Sequence, residues 1–133
     1  MAFQFSTASR NAALDAIETT IGTAPTLEIR SGSVPANAAA ADSGTVLATL
    51  VLPSDWLAAA SGGSKSLSGT WQDLSADAAG TAGHFRIKGA GTTHIQGSIT
   101  ATGGGGDMTL DNTSIASGQQ VVITSFTISA GGA

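Results

Sequence analysis

The chain has 133 residues, a formal net charge of −4, 11% charged residues and no cysteine. That length suits one domain, and a charge content far below the roughly 25% of an ordinary globular chain, beside an ordinary apolar share, is the opposite of what a disordered chain shows. The five cations, Arg10, Arg30, Lys65, Arg86 and Lys88, are scattered, so no basic stripe exists to neutralise nucleic-acid phosphates, and without cysteine there is no disulfide, thiolate chemistry or Cys-based zinc site.

Ser6 or Thr7 can cap a helix by accepting a backbone N–H bond. Arg10, Leu14, Ile17 and Ile21 then recur at helical spacing, with Asp15 and Glu18 toward the other side, and Gly22 is placed to stop the helix. One Leu and two Ile make a thin stripe, so this helix needs a surface to dock on, its own sheet or a neighbouring subunit. After Gly22 the apolar period becomes two. Residues 26–30 (TLEIR) alternate as a half-buried strand. Residues 31–43, with Pro35 and an alanine run, predict a loop. Residues 45–52 predict a strand with Val46, Ala48, Leu50 and Leu52 on one face and Leu47 and Val51 on the other; Pro53 ends it, and residues 54–57 form a turn or short helical segment. Residues 64–71 predict another strand, with Leu67 and Trp71 on one face. Residues 84–88 and 92–100 predict two strands joined by a Gly89-Ala90-Gly91 hairpin turn. In the first of them Phe85 and Ile87 point one way, and His84, Arg86 and Lys88 the other. Gly103 to Gly106 is either a flexible tip or a place where another backbone comes close. Residues 107–110 start a short strand. Residues 119–129 predict a long last strand, with Val122, Phe126 and Ile128 on one face and Val121 and Ile123 on the other.

The fold class that follows is mainly β: an antiparallel β-sandwich or jelly-roll-like domain preceded by one N-terminal amphipathic helix. The division is an N-terminal arm and helix over 1–22 and a β-sandwich domain over 23–133. A parallel α/β sheet would need helical patterns between strands, and none follows Gly22.

Gly, Ala, Ser and Thr fill more than half of the chain. A surface built from them is neutral and costs little to desolvate, which suits a protein that ends up covered by neighbours. No run reaches the 18 apolar residues of a membrane span, and Met1 to Gln4 lacks the basic start and apolar core of a signal peptide. Signals for chemistry are weak. Ser61-Gly62-Gly63-Ser64 is not a nucleophile elbow. His84 and His94, on neighbouring strands of one hairpin, could face each other and share a metal, but two histidines make a poor zinc site; the plainer reading is two outward or interface residues. Asp73, Asp77, Asp107 and Asp111 lack calcium-loop spacing and read as turn caps. Gly103 to Gly106 lacks the Lys-Ser/Thr of a phosphate loop. Phe3, Phe5, Trp56, Trp71, Phe85 and Phe126 read as core or interface anchors, with a carbohydrate-stacking platform through Trp56 or Trp71 as the alternative. Neither an enzyme nor a cofactor is expected.

Several segments also carry a resemblance. Phe5-Ser6-Thr7-Ala8 is followed by Arg10-Asn11-Ala12 and Leu14, then Leu27-Glu28-Ile29-Arg30-Ser31-Gly32, then Ala41-Asp42-Ser43-Gly44-Thr45 running into Leu47-Ala48-Thr49-Leu50. Further on come residues 75–82 (SADAAGTA) with Phe85-Arg86, residues 107–115 (DMTLDNTSI) and residues 124–128 (TSFTI). In this order they resemble a family of small phage and prophage virion proteins of about this length. The resemblance implies a structural component, made in the host cytoplasm and resident in the virion. Its partners would be copies of itself and other virion proteins, the major capsid protein foremost. The implied role is capsid decoration (cement), with a tail, baseplate or fibre-associated subunit as the alternative. The candidate docking residues are Phe3, Phe5, Leu14, Ile17 and Ile21.

Overall fold

In the computed structural model, which describes residues 3–133, helix α1 spans Thr7–Ile21. The Ser6 hydroxyl caps it by accepting the Ser9 amide at 3.1 Å, and the Gly22 amide closes it by donating to the Glu18 carbonyl at 2.9 Å. Leu14 and Ile21 are its buried side chains, while Ile17 stays 39% exposed. The predicted stripe is therefore used at two of its apolar positions.

Ten strands follow: β1 Thr26–Ser31, β2 Val46–Val51, β3 Ser64–Ser66, β4 Trp71–Asp73, β5 Gly80–Gly89, β6 Thr92–Ala101, β7 Met108–Leu110, β8 Ser114–Ile115, β9 Val121–Ile123 and β10 Thr127–Ser129. The main sheet runs β2-β1-β5-β6-β7, with β8 also on β5, and two ribbons, β3–β10 and β4–β9, complete a curled, sandwich-like arrangement. The fold is mainly β with one N-terminal helix, as the alternation predicts. Register places Leu27 opposite Leu50 and Ile87, and Ile29 opposite Ala48 and Phe85. These residues form the sheet's apolar face. The ribbons and their connections supply Trp56, Leu57, Trp71, Val121, Ile123 and Phe126 against it, all buried.

Three bulges shape the sheet, each adding one residue to one strand: Leu47 in β2, Gly83 in β5 and His94 in β6. The first explains a departure from the predicted alternation. Leu47 is buried together with Ala48 and Leu50, while Val51 is 70% exposed. Two predicted strands are each broken in two. Residues 64–71 divide into β3 and β4 around Gly69, which has φ 73°. Residues 119–129 divide into β9 and β10 because β9 pairs with β4 and β10 with β3. The chain must step between ribbons, so alternation does not survive the step: Val121, Ile123 and Phe126 are buried and Val122 is 39% exposed.

The β6–β7 pair is parallel, against the antiparallel expectation. A parallel pair ordinarily needs a long crossover. Here residues 102–107 double back along β6 itself. A Cβ on Gly104 would lie 2.7 Å from Thr100 Oγ1, and one on Gly106 would lie 2.8 Å from the Thr100 amide nitrogen; the Gly106 amide donates to Thr100 Oγ1 at 2.9 Å. Of the two readings of the glycine tract, close backbone approach is the one observed.

In the β5–β6 turn, Ala90 has φ 50° and Gly91 φ 82°. A two-residue turn of this hand needs positive φ at both positions, and a Cβ is strained there. Ala90→Gly is expected to stabilise the protein by about 0.5–1 kcal/mol and to raise the thermal midpoint by a few degrees. A lower midpoint in a thermal unfolding scan would contradict the strain.

Candidate functional site

The polar face of the main sheet carries Glu28 opposite Arg86, and Arg30 opposite His84. Alternation placed His84, Arg86 and Lys88 together on an outward face. They do share a face, but not an outward one: His84 is 0% and Arg86 1% exposed. The loop of residues 32–44 lies over them. Asp42 reaches down from that loop, and its Oδ1 accepts Arg86 Nη1 at 2.7 Å while its Oδ2 accepts Lys88 Nζ at 2.6 Å and Arg30 Nη2 at 3.2 Å. Glu28 Oε1 closes the network with Arg30 at 2.8 Å and Lys88 at 3.0 Å. Arg86 also donates to the Ala40 and Asn37 carbonyls at 2.9 and 3.1 Å, and to Gln96 Oε1 at 2.8 Å. Gln96 in turn donates to the Pro35 carbonyl at 2.8 Å. Gly83 is required beneath this loop, because a Cβ there would lie 2.1 Å from the Gly32 carbonyl oxygen.

Lys88 beside Asp42, against the opposing pull of desolvation, and then Arg86 and Arg30, hold the Asp42 carboxyl down at about 2, from 3.8. Burial lowers the Lys88 ammonium, but its hydrogen bonds to Asp42 and Glu28 outweigh that and raise it. With its donors committed to loop carbonyls and carboxylates, this cluster fastens the loop to the sheet and offers nothing to an incoming anion.

A second ion cluster fastens the helix. Lys65, 4% exposed, donates to Asp15 Oδ1 at 2.6 Å and meets Glu18 Oε2 at 2.9 Å. The Ala60 amide donates to Asp15 Oδ1 at 3.3 Å and the Gly63 amide to Asn11 Oδ1 at 2.8 Å. The hydrogen bond from Lys65, then that from Ala60, lowers the Asp15 carboxyl.

The docking residues read from the sequence divide by exposure. Phe3 and Phe5 are 72% and 49% exposed and meet edge to face, ring centroids 5.3 Å apart. Phe5 rests on Gly132, and its amide donates to the Gly132 carbonyl at 2.6 Å. Ile17 is exposed beside a shallow groove of about 290 Å³ that it lines with Ala13, Ala16, Thr20, Ile21 and His94. Leu14 and Ile21 are covered by the chain itself.

The other candidate groups do not assemble. His84 lies opposite Ser98, and His94 is the bulge residue on the helix side, so the two histidines do not face each other. His84 Nδ1 lies 2.9 Å from the Gly32 carbonyl oxygen. Asp73 accepts the Thr49 and Ser75 amides at 2.9 and 3.0 Å, Asp77 the Thr49 hydroxyl at 2.7 Å, and Asp107 the Ser98 amide at 3.0 Å. Among the described residues no three His, Cys, Asp or Glu side chains come together. Trp56 and Trp71 are each 0% exposed, which removes the carbohydrate-stacking reading. Their indole N–H groups donate to the Gly22 carbonyl at 3.0 Å and to the Trp56 and Ser68 carbonyls at 3.2 Å. Among the described residues no helix is long and apolar enough to cross a membrane.

Sequence reading passed over Asp42 as a fastening residue. The signal was present, for Asp42 is the single charged residue between Arg30 and Asp55. No protein-family model, curated protein or solved structure matches the chain.

Because the Asp42 carboxyl is depressed in the folded state, its contribution to stability is present above pH 3.8 and is lost as pH falls toward about 2. Asp42→Asn is expected to flatten the stability profile across that interval. It should also cost about 1–3 kcal/mol at neutral pH, the partial exposure of Asp42 keeping the loss moderate. Urea unfolding at a series of pH values checks both, and an unchanged acid limb would remove Asp42 from this role.

Proposed function

We propose that the chain is a virion structural subunit, a capsid-decoration (cement) protein that stabilises a phage head by packing against its shell and against copies of itself. The observation that carries the reading is the exposed apolar surface at the N-terminus. Phe3 and Phe5 stand in water beside a helix whose exposed residues are mostly Ala, Ser and Thr, with Ile17 among them. Rings of this size are ordinarily covered, and burying one contributes roughly 1.5–3 kcal/mol.

The distribution of charge supports the same reading. Arg30, Lys65, Arg86 and Lys88 are held in ion pairs within the fold. The surface they leave is poor in cations and inexpensive to desolvate against another protein. A specific interface of ordinary size removes about 1,200–2,000 Å² of surface from water. Repetition over a lattice then multiplies a modest gain per copy. The order of segments quoted above, with its resemblance to small virion proteins, points to the same setting.

The test is binding of the purified chain to capsid shells that lack it, measured by co-sedimentation beside a Phe3→Ser/Phe5→Ser/Ile17→Ser variant. All three sites are exposed, so the variant should remain folded. Saturable binding that weakens at least about tenfold in the variant is expected, a change worth about 1.4 kcal/mol. Equal binding by both proteins would exclude this surface. Electron cryomicroscopy of the whole particle checks the placement: copies repeated over the head support decoration, and a ring of copies on the tail would replace it with the tail reading.

A further inference from the structure

We propose that residues 3–20 form a releasable arm, with α1 swinging away from the body as one unit about a pivot at residues 21–24 while the sheets stay folded. Use of this arm for docking rests on the function proposed above; its opening rests on the free chain alone.

The helix is joined to the body by little apolar surface. Of its residues Leu14 and Ile21 are buried, and the contiguous apolar core includes Ile21 but not Leu14. Ile21 sits at the pivot, where its carbonyl lies so close to Gly89 that a Cβ there would come within 2.3 Å, and where Trp56 Nε1 donates to the neighbouring Gly22 carbonyl at 3.0 Å. Beyond the pivot, Leu14 is the one buried apolar side chain that the helix itself contributes.

The remaining attachment is mainly polar: Lys65 with Asp15 and Glu18, the Gly63 amide with Asn11, the Ala60 amide with Asp15, and the Arg10 guanidinium lying over Gly63. Near the chain ends the Phe5 amide bonds the Gly132 carbonyl and Gln4 Nε2 the Ala133 carbonyl. Water can replace each of these partners once the helix lifts, so each opposes opening only by its small net strength. The pivot also stores strain. Ala24 has φ 46°, a conformation that disfavours a Cβ, next to Gly22 at φ 95°. Opening releases Ala24 from it. A swing would add Leu14 to the already exposed Phe3, Phe5 and Ile17 and bring four apolar side chains onto one detachable segment.

A helix of this length is marginal in water once undocked, so its amides exchange whenever it opens. Hydrogen–deuterium exchange with mass spectrometry on the full-length free protein therefore reads the opening directly. Peptides covering residues 10–20 are expected to exchange at least ~100-fold faster than those covering residues 84–88. Lys65→Met should accelerate residues 10–20 by about tenfold and leave residues 84–88 unchanged. Ala24→Gly, which removes strain from the closed state, should slow residues 10–20 severalfold. Exchange of the helix in step with β5 in the wild-type protein, or equal acceleration of both regions by Lys65→Met, would overturn the proposal. No capsid enters this experiment, so a failure of shell binding and a failure of arm release are separate results.

Discussion

Phe85 projects from β5 and meets Phe126 edge-on at 5.5 Å; Phe126 lies 5.7 Å from Trp71, and Trp71 lies 5.9 Å from Trp56. This run of rings crosses from the main sheet to the layer facing it. The facing layer depends on burial of this kind. Its ribbons have strands of three residues each, and a two-stranded ribbon of that length has too few ladder bonds to persist in water. Each ring buries a large apolar area, and both indole N–H groups reach carbonyls, so the column carries no unsatisfied donor. The same burial takes the tryptophans off the surface, so what the protein shows to a partner is set elsewhere.

Charge is scarce in this chain, and four of its five cations are turned inward. Burying an ion pair seldom stabilises more than an apolar pair would, since desolvation offsets most of the attraction. What the Asp42 cluster contributes is position: one carboxylate with three cations fixes where residues 32–44 lie on the sheet. That loop has no apolar stripe able to do the same. The Lys65 cluster acts likewise for α1. Both devices withdraw cations from the surface and leave mainly alanine, serine, threonine and glycine in contact with water.

The N-terminal segment joins these two features to the proposed role. It is tied to the body by polar contacts and shows its aromatic rings to solvent, whereas the sheets keep theirs inside. A subunit that must bind a repeating surface while holding its own shape needs that division: a body stable without a partner, and an appendage whose apolar groups are not used up by the fold.

Much of the β-rich body was legible in the residues. Two-residue periodicity marked β1, β2, β5 and β6, and the Ser6 cap and Gly22 stop marked α1, because these depend on local backbone and side-chain preference. Other features were not legible, the parallel β6–β7 pairing and the short β8 among them. The breaks at residues 67–70 and 124–126 arise because β3 and β4 pair with different segments, and alternation in one strand says nothing about its partner. The bulges at Leu47, Gly83 and His94 depend on register between strands. The burial of His84 and Arg86 depends on a loop whose own composition is bland, and only its return across the sheet turns an apparently solvent-facing row into an interior one. By itself the sequence determined the element types and the poverty of charge. Tertiary structure alone decided which polar residues are buried, since burial is a property of what packs on a residue and not of the residue.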